Sequence, residues 1–166
     1  MAPKPESRSY WLMKSEPDCF SFDDLLAAPK KRSGWDGVRN FQARNFLRDQ
    51  FAVGDGVLFY HSSATPPGIA GIARVARAAY PDPTQFDPAS DHFDAKSKPS
   101  DPTWFQVDVE AVEKCPRFVT LDDLKKESKL ADMKVLQRGQ RLSVLPVEKA
   151  EWNLVLKLAG FARAPL

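Results

Sequence analysis

The sequence predicts an α+β domain, a small mixed β-barrel of about five or six strands with short helices capping it. Two observations carry that expectation. Apolar residues recur at strand spacing in some segments and at helical spacing in others. The strand-like segments are also never joined by the regular strand–helix–strand alternation that builds a doubly wound parallel sheet.

Taken in order, Tyr10 to Lys14 is an apolar and aromatic run that ends before Pro17, which suits a first strand. Ser21-Phe22-Asp23-Asp24 has the spacing of a capping box, so a short helix should start there, run to Ala28 and stop at Pro29. Asn40 can cap a second helix, in which Phe41, Ala43 or Arg44, and Phe46-Leu47 recur at helical spacing up to Phe51. Val57 to His61 is dense in β-branched and aromatic residues. With the Pro66-Pro67-Gly68 turn and a longer run from Ile69 to about Tyr80 it makes a hairpin with a loose loop. Pro81 to Pro102 is rich in Asp, Pro, Ser and Lys, and its length marks it as functional or mobile. Trp104 to Val112 alternates, with Phe105, Val107, Val109 and Ala111 on one face and Trp104, Gln106, Asp108 and Glu110 on the other, as a half-buried antiparallel strand does. Thr120 begins another short helix, and Arg141 to Leu145 form a last strand. Val147, Ala150, Leu154 and Leu158 mark a closing helix that Gly160 ends.

At 166 residues the chain suits one domain and can bury roughly 70% of its unfolded surface. The expected organisation is a flexible tail over residues 1–8, one domain over 9–161 and a short tail over 162–166. The opening segment is polar and contains proline, without the apolar core of a signal peptide. No stretch approaches the roughly 20 apolar residues of a membrane span. A monomeric cytoplasmic protein with no membrane association is expected. Cys19 and Cys115 have no Cys-x-x-Cys spacing and read as ordinary buried or semi-buried thiols.

The net charge of +2 does not by itself point to a nucleic-acid partner. Its distribution does more. Lys30, Lys31, Arg32, Arg39, Arg44 and Arg48 stand against a single acid, Asp36, in one stretch, and Lys129, Lys134, Arg138 and Arg141 form a second basic run. The first stripe is either a solvated face or a phosphate-binding surface.

Searches for catalytic patterns come out empty. The chain has no Gly-x-Ser-x-Gly elbow, phosphate loop, dinucleotide fingerprint or His-Glu-x-x-His. His61 and His92 are its histidines, and Ser62 follows His61 directly. Neighbouring strand residues point to opposite faces, an awkward geometry for a nucleophile and its base, although an enzyme using His61 and Ser62 stays open as the alternative. No metal site or cofactor is expected, since two His and two Cys lie in four unrelated segments.

The tryptophans are more informative. Trp152 adjoins the apolar stripe of the closing helix and reads as packing. Trp35 lies in the polar loop Ser33-Gly34-Trp35-Asp36-Gly37, and Trp104 is out of phase with the apolar face of its strand. Both suit either packing or a stacking wall for a flat ligand.

Several segments, in order, resemble the EVE domain family, which includes the thymocyte nuclear proteins and short bacterial relatives. They are Tyr10 to Pro17, Trp35-Asp36-Gly37-Val38-Arg39-Asn40 with Gln42 to Asn45, Gly54-Asp55 leading to Phe59-Tyr60-His61-Ser62, and Gly68 to Gly71. Tyr80-Pro81-Asp82 with Phe86-Asp87, Trp104 with Val107 to Val109, and Arg141 to Val144 before Pro146-Val147 complete the set. The chain departs from the family pattern at Ala95, where a proline commonly precedes the Lys-Ser pair.

The resemblance implies a PUA-like fold related to the YTH domain, and a non-catalytic reader of a modified nucleobase in DNA or RNA, such as 5-methylcytosine or 5-hydroxymethylcytosine. It places the base pocket at Lys14, Ser15, Glu16, Trp35, Asn40, Tyr60, His61, Ser62 and Trp104. With that role, Lys30, Lys31, Arg32, Arg39, Arg44 and Arg48 become the candidate phosphate contacts. A flipped base needs a π-face to stack on and donors and acceptors for its edge, which these residue types supply.

Overall fold

Residues 8–166 are described by the computed structural model, and the sheet is built outward from Tyr10–Ser15 (β1). Trp11, Leu12 and Met13 are all buried, which explains why this run lacks polar alternation. β1 pairs in parallel with Gly56–His61 (β3) and antiparallel with Val144–Val147 (β6). β3 continues into Gly68–Pro81 (β4), which pairs with Phe105–Thr120 (β5), and β5 carries Arg32–Gly34 (β2) on its outer side. The order is β2-β5-β4-β3-β1-β6.

The expected mixed α+β class holds, but the barrel is not closed. Among the described residues no pairing joins β2 to β6, so the sheet is open with two edges. Their sequences explain this. β2 has three residues, and β6 contains Pro146, which lacks an N–H and belongs on an edge strand.

Short helices sit between the strands: Phe22–Ala27 (α1), Phe41–Asn45 (α2), Leu121–Lys126 (α3) and Lys149–Leu158 (α4). Ser21 and Asp24 form the expected capping box, and Thr120 with Asp123 repeats it at α3. Asn40 caps α2, which runs on as a π-helical turn over Phe46–Gln50. Asp55 ties the segments before β1 and β3 together, because its buried carboxylate accepts from Ser9 N, Trp11 Nε1 and Ala52 N. Trp152 of α4 is buried against Tyr10 with ring centroids 4.5 Å apart.

Three elements differ from the sequence expectation. β5 extends past Val112 to Thr120 because a register break opposite β4, between the Gly71–Lys114 and Ile69–Val119 pairs, accommodates Pro116. β2 was unmarked by periodicity, being too short to show any. The last strand begins at Val144, not Arg141. Residues 1–7 of the expected flexible tail lie outside the described residues. At the other end Leu166 packs against the core.

Candidate functional site

The end of β1 opens into a cavity of about 510 Å³. Lys14, Ser15 and Glu16 form one side, Cys19 and Phe20 the turn beyond, and Ser33 to Gly37 the opposite wall, with His92 reaching in from the long loop. Parallel pairing sets the first side, since Lys14 lies opposite Tyr60 and Ser15 opposite His61, while Ser62 N donates to Ser15 O at 3.0 Å. Ser15 Oγ donates to Phe20 O at 2.6 Å and folds the turn back over the strand end. Lys14 is half-buried and makes no ion pair among the described residues. Burial pushes its ammonium below the ordinary value.

The opposite wall hangs on Trp35 and Asp82. Trp35 is 8% exposed, sits edge-on to Phe59 with centroids 5.4 Å apart, and donates its backbone N–H to Val107 O at 2.8 Å. Gly37 has φ +80°, and a Cβ there would lie 2.6 Å from His92 Nε2, so both backbone and space require glycine. Asp82 is fully buried and accepts from Gly37 N at 2.8 Å, Arg39 Nη1 at 3.0 Å, Thr84 N at 2.8 Å and Thr84 Oγ1 at 2.6 Å. Burial alone would raise its pKa, but the bonds from Thr84, Gly37 and Arg39 together hold it below the ordinary value.

Of the nine pocket residues expected from sequence, Lys14, Ser15, Glu16 and Trp35 line this cavity and the other five do not. Asn40 is exposed, and its Oδ1 accepts from Ala43 N at 3.0 Å as the helix cap. Tyr60 is buried, which pushes its hydroxyl pKa up. His61 Nε2 accepts from Phe22 N at 3.1 Å, satisfying a free N–H at the start of α1. Trp104 precedes β5 and does not sit on a polar face. It is 6% exposed, outside the main core, with Nε1 donating to Asp94 at 2.8 Å and its ring stacked on Phe41. On the face expected to be polar, Gln106 is buried at 5% exposure while Asp108 and Glu110 are partly exposed. Ser33, Gly34, Gly37, Asp36, Cys19, Phe20 and His92 also line it and are not among the expected pocket residues. The Gly-flanked loop around Trp35 was the available signal for the first three. Cys19 is exposed at the cavity rather than buried, whereas burial pushes the Cys115 thiol up to about 12.

His61 predicts a pH effect. Burial holds its imidazole below the ordinary 6.5, so the unfolded chain takes up a proton more readily than the fold does. Stability should be complete above about pH 6.5 and fall as the pH drops below it. Thermal melts at about pH 7.5 and 5.5 should therefore differ more for the wild type than for His61→Gln, and an equal difference would contradict this role.

The basic stripe is divided by its partners. Arg32 pairs with Glu110 at 2.6 Å, Arg39 with Asp82, and Arg48 with Asp49 at 2.8 Å. Lys30 and Lys31 make no ion pair among the described residues, and Arg44 bonds only neutral acceptors, Thr103 O and Asn45 Oδ1. No cluster of metal-ligating side chains occurs among the described residues, and no helix there is long and apolar enough to cross a membrane.

An open mixed sheet with short helices at its margins and a cavity where β1 ends defines an α+β, PUA-like domain. The EVE domain model matches residues 9–158, and the chain belongs to that family. Human thymocyte nuclear protein 1 is 44% identical over 167 residues, covering 90% of this chain and 73% of the human protein. A Pseudomonas putida protein of solved structure is 50% identical with a TM-score of 0.86, covering 90% of this chain and 99% of that one. The human THYN1 protein solved in complex with 5-methylcytosine-containing DNA is 42% identical with a TM-score of 0.87, covering 93% of this chain and 99% of that one. A YTH domain from Zygosaccharomyces rouxii, 14% identical with a TM-score of 0.54, shares the fold.

Proposed function

We propose that the chain is a non-catalytic reader that holds one modified nucleobase of a DNA or RNA strand, such as 5-methylcytosine or 5-hydroxymethylcytosine, in the cavity at the end of β1. The makeup of that cavity carries the reading. One nearly buried indole, Trp35, faces the same space as a half-buried ammonium that has no counter-ion among the described residues, Lys14, and the polar groups of Ser15 and Ser33. Its volume of about 510 Å³ falls within the roughly 300–1,000 Å³ of small-ligand sites. The human relative bound to 5-methylcytosine-containing DNA supports the same ligand class. Asn40, Tyr60, His61, Ser62 and Trp104 do not line the cavity and serve the fold around it, as helix cap, packing and strand-end support.

A hydrolytic role for His61 and Ser62 loses its base, because the His61 Nε2 lone pair is already engaged by Phe22 N. At the cavity itself Cys19 Sγ stands 3.8 Å from Glu16 Oε2, and a carboxylate is the wrong partner for generating a thiolate nucleophile. Two free thiols suit a reducing compartment such as the cytoplasm, and the human relative is by name a nuclear protein, an equally reducing setting. The protein acts as a monomer with a nucleic-acid partner.

With Lys30, Lys31 and Arg44 as the available cations, binding should engage about three phosphates, giving a log–log salt slope of roughly −2 to −3. Titrating a labelled oligonucleotide at four salt concentrations measures it. A slope near zero would remove the basic stripe from the interface.

A further inference from the structure

Phe41 is the most exposed of the exposed large apolar side chains, at 59%. Nothing in helix formation asks for a phenyl ring there, since α2 buries only Ala43. Yet the ring is held. It stacks on Trp104 with centroids 4.9 Å apart and planes 28° from parallel, and the Arg44 guanidinium lies 4.9 Å from its centroid. Trp104 is fixed in turn by its bond to Asp94 and by Arg39, 5.4 Å over its ring.

This platform is tied to the cavity margin. Arg39 donates to His92 O at 2.7 Å and to Asp82, which also holds Gly37, while His92 and Gly37 both line the cavity. Phe41 lies four residue steps after Gly37, at most about 14 Å of extended chain. A rigid, protruding aromatic ring, flanked by an arginine whose partners are neutral, lies within reach of the space that would receive an extruded base. Apolar side chains placed beside cationic ones are what architectural proteins insert between base steps.

We infer that Phe41 is a wedge for duplex DNA, entering the stack beside the extruded nucleotide and keeping the gap open while Arg44 contacts the adjoining phosphate. This inference rests on the reader function, and it adds the state of the substrate: a paired duplex from which the protein itself draws the base. The helper is needed only where a base must leave the stack. Its contribution should therefore vanish on strands that are already unpaired.

Fluorescence anisotropy with three probes of one sequence tests this: a duplex with a single 5-methylcytosine paired to guanine, the same duplex with an abasic residue in place of that guanine, and the 5-methylcytosine strand alone. Phe41→Ala should weaken binding to the paired duplex roughly 10- to 100-fold, the worth of a few kcal/mol of unstacking, and binding to the single strand less than about 3-fold. The abasic duplex should fall between. Phe41→Leu keeps an apolar wedge and should recover most of the loss, and melting curves of both variants check that the fold survives. An equal Phe41→Ala loss on all three probes, or no loss on the paired duplex, overturns the wedge. A fourth probe, the matching RNA duplex, tests the assignment to DNA, which stronger binding with the same dependence on Phe41 overturns. Failure of the reader function reads out separately, as no binding by the wild type or as a Trp35→Ala variant unimpaired on every probe.

Discussion

Asp82→Ala should lower the stability of the fold by about 2–4 kcal/mol, toward the lower end of the cost of breaking a buried ion pair, because the carboxylate is fully buried while the Arg39 side chain is 21% exposed. The carboxylate is fully buried and accepts from Gly37, Arg39 and Thr84, so its loss leaves the Gly37 N–H without its acceptor and Arg39 without its counter-ion, holding only neutral acceptors such as His92 O and Val38 O. Domains of ordinary stability have only about 5–15 kcal/mol in total, so the effect is a large fraction of it. Asp82→Asn keeps an acceptor oxygen and should lose less. Because the folded carboxyl lies below its ordinary 3.8, the stabilisation is present above that pH and is lost as the pH falls through the folded value. Urea unfolding of the two variants measures both effects. A loss under about 1 kcal/mol for Asp82→Ala would show that the wall from Ser33 to Gly37 is held by other contacts.

Trp35→Ala should weaken oligonucleotide binding by roughly 1–3 kcal/mol, about 5- to 150-fold, and equally for a modified base and its parent. Stacking uses the π-face, which every base presents. The same substitution removes the edge contact to Phe59 and opens a void, with a stability cost of about 3–5 kcal/mol, so binding must be compared below the melting transition of the variant. Trp35→Phe keeps an aromatic face and should recover part of both losses. Unchanged affinity in folded Trp35→Ala would take the indole out of the site.

Most of the fold was legible because its signals are local. The capping residues Ser21, Asn40 and Thr120, the turn at Pro66-Pro67-Gly68 and the dense run at Val57 to His61 each specify their own element. The continuation of β5 beyond Pro116 and the attachment of β2 depend instead on a partner strand distant in the chain, which periodicity does not reveal. The open edge between β2 and β6 is equally a matter of tertiary arrangement.

The site divides along the same line. Lys14 to Glu16 and Trp35 were found because a strand end and a polar Gly-flanked loop mark exposed backbone with chemistry on it. Strand phase puts Trp104 on the outer face of β5, but the strand starts one residue later and the indole is held by Phe41 and Asp94 instead. His61 looked like chemistry in sequence, while in space it satisfies an N–H of α1. Asp82 lies 45 residues from Gly37 in the chain, so its support of the cavity wall could not be read from spacing.

The cavity should distinguish a modified base from its parent. This discrimination is tested most directly by competition binding with oligonucleotides that differ at one position only, each modified cytosine or adenine set against its unmodified form. The wild type should prefer at least one modified base by roughly fourfold or more, the worth of a single buried methyl group at about 0.8 kcal/mol, and the preference should survive at each salt concentration where binding is measurable. Equal affinity across every modified and parent pair would contradict it.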